Sequence, residues 1–308
     1  MSILQRQSAI GIPQQLDARL VVDITLLCTA APLLPTNAAI AAASGILVLA
    51  VLAWYKRCPA AAPFSIFCVV CLSLIFSGMR YFPVVLALGL LGYAGVVHGV
   101  PWLRGTATWV RWGSFDARVC LLSVGAWLVA AVALLIWYLL LHPNITNIVK
   151  AYVPALPLGL LMAGGLIFAM LNAAVEEAAY RGVFLHALDR SLGPGFAALL
   201  LQAAAFGAIH IRGFPRGWLG VGLALIFGLF MGFIRRRAGG MFAPWIAHVF
   251  TDVVIAGIVL FLARPERPNQ AMQRIASQRT THLLSVCHPV VGCESRFTGL
   301  AVADLVSR

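Results

Sequence analysis

The sequence predicts an all-α, polytopic transmembrane helical bundle of about eight or nine spans, and three observations predict it. Of 308 residues, 61% are hydrophobic and only 10% are charged, whereas soluble domains carry about a quarter of their residues charged. The mean hydropathy is +0.93. The apolar residues also gather into runs separated by short polar links, most of them near the roughly 17 to 25 residues that cross a bilayer.

Residues 1–19 are polar and lack the charged start, short apolar stretch and small-residue site of a cleavable signal, so they are expected to form a cytoplasmic leader. Apolar runs follow at roughly 20–35, 38–54, 61–78, 82–100 and 119–141, which makes residues 20–150 a set of accessory spans. The first is the weakest, because Asp23 interrupts it and Pro32 and Pro35 end it. Four further runs, at roughly 153–174, 196–211, 217–234 and 241–262, make up a core over residues 151–263. From Arg264 the chain reads RPERPNQAMQRIASQRT and onward without a sustained apolar period, so residues 264–308 are expected to be a polar, disordered tail. No internal repeat is evident, nor the inverted repeat of a secondary transporter.

The formal charge of +12 does not point to nucleic acid, since no basic stripe with interleaved aromatics occurs. Basic residues of membrane proteins gather in cytoplasmic loops. If the spans alternate, Lys56, Arg57, Arg104, Arg111, Arg118, Arg190 and Arg235 to Arg237 share one side, and only Arg80, Lys150, Arg212 and Arg216 face the other. The richer side is expected to be cytoplasmic, and the chain to sit as a multi-pass protein in a bacterial inner membrane. Cys68 and Cys71, a CxxC within an apolar run, read as small buried hydrophobes. Cys287 and Cys293 flank His288 in the tail without a second ligand pair. His98, His142 and His186 fall near span ends, where interfacial water can satisfy them, and Asp23 reads as a solvated end. Ser65, Ser73 and Ser77 lack the GxSxG elbow of a serine nucleophile. Gly228 and Gly232 form a GxxxG, a close-packing motif.

Three polar clusters break the last four runs. NAAVEEAAYRG carries Glu176, Glu177 and Arg181; FGAIH sets Phe206 four residues before His210; HVFTD sets His248 four residues before Asp252. Residues four apart share a helix face. If the helix from 153 continues to Arg190, Glu176 lies some 20 Å from its end at about 1.5 Å per residue. His210, His248 and Asp252 stand at a similar distance from helix ends on the same side, so all these groups can meet at one depth on facing helices. Intramembrane ionisable groups are expensive and mark functional sites. Glutamates, histidines and an aspartate in a protein cavity suit hydrolysis, with a desolvated carboxylate as base for water and imidazole beside the developing oxyanion.

These motifs, in this order and spacing, together with GLFMGFIRRRAGGMFAPWIAH, resemble the CPBP family, the CAAX proteases and bacteriocin-processing (Abi) membrane proteases, over roughly residues 153–262. The resemblance implies an intramembrane endopeptidase with its catalytic core in the last four helices. Its catalytic set would be Glu176, Glu177, Arg181, His210, His248 and Asp252, with Glu176 as base, His210 helping to activate water, and His248 and Asp252 in oxyanion or ligand roles. Asparagine is common in the family where Asp252 stands. A carboxylate donates no hydrogen bond unless protonated, so Asp252 is either neutral, an orienting group for His248, or a metal ligand. His210, His248 and Glu176 could hold zinc, although HExxH is absent; zinc and a metal-free glutamate mechanism stay equally open. The expected partners are a membrane-associated peptide or protein substrate, such as a C-terminal or leader segment, and membrane lipid, with no nucleic acid. A non-catalytic immunity factor or small transporter that uses the same polar cavity is the alternative.

Overall fold

The computed structural model describes residues 14–79, 81–141 and 153–262. Residues 1–13, Arg80, His142, Lys150 and the 264–308 tail with Cys287, His288 and Cys293 lie outside the described residues. Every apolar run read as a span is helical. The order is α1 (Gln14–Ala30), α2 (Thr36–Tyr55), α3 (Ala61–Phe76), α4 (Phe82–Gly99), α5 (Ala117–Leu141), α6 (Leu158–Glu177), a π-helical segment (Ala178–Phe184), α7 (Leu185–Leu192), α8 (Phe196–Ile209), α9 (Gly217–Ala238) and α10 (Phe242–Leu262). Short 3₁₀ turns stand at Ala31–Leu33 and Pro101–Leu103, and no strand occurs among the described residues. Six helical stretches among them are long and apolar enough to cross a membrane: α2, α4, α5, the continuous run Leu158–Leu192, α9 and α10. Helices α3 and α8 are apolar but shorter.

Local chemistry sets the boundaries. Proline, which fixes φ and lacks an N–H, precedes α2 at Pro35 and α6 at Pro157 and sits in the first turn of α4. Gly239 ends α9 in the left-handed region at φ 67°, where a side chain would be strained, and its N–H donates to the Arg236 carbonyl. α1 begins at Gln14 and so takes up part of the stretch read as a leader. Its Asp17 is buried, and the carboxylate accepts the N–H groups of Ala60 (3.1 Å) and Ala61 (2.8 Å). Those are orphan donors at the start of α3, so Asp17 caps a helix from another helix.

The bundle packs α8 on α9, α3 on α4, and α10 on both α6 and α5. Phe64 and Phe184 meet edge to face at 4.8 Å in the core between α3 and the π segment. The GxxxG of α9 is a close-packing face as read: Gly228 lies against Ala203 and Phe206, and Gly232 against Leu199 and Gln202. Cys68 and Cys71 are buried free thiols in the apolar core, and Ser65 and Ser77 bond to carbonyls of their own helix.

One end of the bundle is laced together. Arg236 pairs with Asp189 and donates to the Gly195 carbonyl at 3.0 Å. The link between α4 and α5 crosses this end as a strap. The Thr106 carbonyl accepts from His186 (2.8 Å) and Arg190 (3.2 Å). The N–H of Ser114 donates to the Ala238 carbonyl, and the N–H of Met241 to the Arg111 carbonyl, each at 2.8 Å. The strap therefore ties the α7 end to the α9–α10 turn.

Candidate active site

The site is built on α6, the π segment, α8 and α10. Small residues make the approach possible: Ala169 and Ala173 of α6 are fully buried in a cluster with Val249 of α10. One helical turn along, Asn172 and Glu176 share a face of α6, and His248 and Asp252 share a face of α10. The helix read as continuing to Arg190 runs to Leu192, but immediately after Glu177 it widens into the π segment. Such wide turns concentrate at functional sites. This one carries Arg181 and Gly182. A Cβ at Gly182 would come within 2.7 Å of the Trp109 indole, so the glycine of the EExxxRG motif lets the strap seat its ring against the site helix.

Glu177 is locked. Its Oε1 accepts from His248 Nδ1 at 2.7 Å and lies 3.1 Å from Arg181 Nη1, with both acid and guanidinium at most 1% exposed. The Arg181 guanidinium also covers the Phe206 ring, 4.5 Å from its centroid, a cation–π contact that offsets part of the desolvation of a buried cation. Glu176 is held less firmly: its Oε2 lies 3.6 Å from His248 Nε2, and no guanidinium pairs with it within 4 Å among the described residues. Asp252 Oδ1 lies 3.6 Å from the same Nε2, while its Oδ2 accepts from the Asn172 amide at 2.9 Å. Three carboxylates thus share the site with one guanidinium, and His248 is set among them.

His210 stands just past the end of α8. Its Nδ1 donates to the Phe206 carbonyl at 3.0 Å, so a neutral ring presents Nε2 as an acceptor. No hydrogen bond or ion pair joins His210 to the carboxylates among the described residues. The three motifs meet instead on one ring: Phe206 lies 4.9 Å from His210 and 6.1 Å from His248, with Arg181 above it. All six residues read from the sequence therefore gather in one region, with His210 at its edge. Among the described residues, no three or more His, Cys, Asp and Glu side chains are spaced to hold a metal ion. The arrangement of His210, His248 and Glu176 does not fit a bound zinc.

Sequence reasoning passed over Asn172, Phe227 and Gln202. Phe227 packs edge-on to His248 at 5.1 Å. Gln202 is fully buried between α8 and Gly232, with neither amide atom hydrogen-bonded among the described residues. Asn172 had a readable signal, being a polar residue in an apolar run four positions before Glu176. The other candidates stay local. Asp23 makes an exposed i,i+4 contact with Arg19 at 3.7 Å, His98 is exposed, and His186 is satisfied by the strap.

A helical bundle with carboxylates, imidazoles and a guanidinium buried on facing helices defines the class of membrane-embedded proteins with an internal polar site. Within that class, residues 159–254, the stretch that holds all three motifs, match the family model described as Type II CAAX prenyl endopeptidase Rce1-like. The match bears out the resemblance that the motifs carry and supports, at family level, a CAAX-type intramembrane protease in a multi-pass membrane protein. Neither the curated proteins nor the solved structures compared with the chain give a match.

Proposed function

We propose that the chain is an intramembrane endopeptidase that hydrolyses a peptide bond of a membrane-associated peptide or protein with water activated by Glu176. The observation that carries the reading is the contrast between adjacent glutamates. Glu177 is fixed by Arg181 and His248, and a paired carboxylate is a weak base. Among the described residues Glu176 pairs with no guanidinium and faces only the edge of His248, so it keeps a basic oxygen for water.

In the proposed reaction, Glu176 takes a proton from water as the water oxygen attacks the carbonyl carbon. The carbonyl oxygen becomes an oxyanion, and the His248 imidazole is the nearby group suited to its charge when it carries a proton on Nε2, while the acceptor Nε2 of His210 is suited to holding the attacking water. The C–N bond then breaks, Glu176 passes its proton to the departing amine nitrogen, and a carboxylate and an amine leave. Arg181 and Glu177 hold the imidazole and do not react. The family description names prenylated CAAX segments, which makes a farnesylated, fluorescence-quenched CaaX peptide the first probe and its unprenylated twin the comparison.

The test is Glu176→Gln, which keeps shape and removes the base. Cleavage by a correctly inserted variant should fall at least about a hundredfold, within the range for losing acid–base catalysis. Near-normal cleavage would sink the assignment. A wild-type protein that cleaves neither peptide, nor leader segments, would favour the immunity or transport alternative.

A further inference from the structure

Asp252 is an acceptor in this site. Its Oδ2 receives the Nδ2–H of Asn172 at 2.9 Å across α6 and α10, and its Oδ1 faces His248 Nε2 at 3.6 Å. His248 Nδ1 is already committed to Glu177 at 2.7 Å. A carboxylate has two oxygens and rotates about one bond, so fixing one oxygen fixes where the other points. Asn172 is half-buried and Asp252 is 7% exposed, and the bond between them forms where solvent competes weakly. From this geometry we propose that Asn172 is a positioning residue of the site: by clamping Asp252 Oδ2 it turns Oδ1 toward His248 Nε2 and so sets the orientation of the imidazole beside Glu176. The proposal deepens the hydrolytic reading and rests on it for the kinetic consequence, but not for the structural one.

A bond that merely fastened α6 to α10 would affect assembly and leave the chemistry of the folded fraction alone. A hydrogen bond to a charged group that is used in the transition state is worth roughly ten- to a hundredfold in rate when removed. On the farnesylated peptide, Asn172→Ala should therefore lower kcat about tenfold with KM unchanged, the sign of an interaction used in the transition state. Since Asn172 acts through Asp252, the same change in an Asp252→Ala background should cost kcat nothing further. The swap Asn172→Asp with Asp252→Asn restores the bond between helices but moves the charge away from His248. It should recover thermal stability while kcat stays low.

A readout free of substrate keeps the two proposals apart. In ¹⁵N-histidine spectra of the full chain in micelles, with the His248 signals assigned by His248→Gln, Asn172→Ala should shift the His248 Nε2 resonance and leave that of His210 in place. An unmoved Nε2 resonance in folded Asn172→Ala, or a swap that regains full kcat, would overturn the positioning role. If the wild type cleaves no peptide, the hydrolytic reading falls and the resonance still decides the clamp.

Discussion

Glu176 and Glu177 are neighbours in sequence with opposite expected behaviour on mutation. Removing Arg181, as in Arg181→Met, strands the Glu177 carboxylate in the core beside His248, and a broken buried pair costs about 3 to 5 kcal/mol. Detergent-solubilised Arg181→Met should therefore unfold well below the wild type. Neutralising both partners in Glu177→Gln/Arg181→Met should recover most of the loss, because no lone charge remains. Glu176→Gln, by contrast, should unfold near the wild-type temperature, since among the described residues the guanidinium pairs with Glu177 and not with Glu176. A large drop in Glu176→Gln stability would show that both glutamates hold the fold. At this scale the sequence was informative wherever spacing decides contact: Glu177 with Arg181, and His248 with Asp252, are i,i+4 neighbours whose proximity follows from helix geometry. It was silent on which glutamate is locked, because that depends on which Oε meets an imidazole from another helix. Asn172 stands out in the sequence as a polar residue in an apolar run, but its partner, eighty residues away, does not.

Among the elements, the π segment ties the site to the rest of the bundle. Gly182 accepts the Trp109 indole where a Cβ would stand at 2.7 Å. Overpacking of this kind typically costs about 1 to 3 kcal/mol, so Gly182→Ala should lower the unfolding temperature, and Trp109→Ala in the same chain should give part of it back. Additive losses in the double variant would mean that the two residues do not oppose each other. The helices themselves were legible from hydropathy and, at the first link, from Pro32 and Pro35, whereas the run that starts near 153 becomes helical only after Pro157. The widened turn was not. AAYRGVF carries no proline, and its single glycine marks no widened turn by itself; the geometry answers to packing by Trp109, Phe64 and Phe206, none of which is local. The run at 196–211 was read as reaching past His210, whereas α8 ends at Ile209, a difference of two residues that puts the imidazole at a helix terminus and frees its ring to bond back to Phe206.

For the whole molecule, the strap and the Arg236–Asp189 pair gather the Arg111, Arg190 and Arg235 to Arg237 side of the bundle at one end. Basic loops face the cytoplasm. In intact cells, a chain without other reactive cysteines that carries Arg237→Cys should resist an impermeant maleimide, and one that carries Arg212→Cys should react; the reverse pattern would invert the orientation. The apolar helices were readable from composition, but not the dependence of one half on the other, because the strap bonds run through backbone carbonyls that any residue possesses. That strap bears on how the protein could be recombined. The family match begins at residue 159, yet Thr106 and Trp109, which brace the site helix at His186, Arg190 and Gly182, lie some fifty residues upstream. A hybrid that joined this chain's α6 to α10 to another protein's first half would inherit every residue of the site and lose the splint that keeps it in shape. A working chimera should need the segment from Thr106 to Ser114 to travel with the helices it holds.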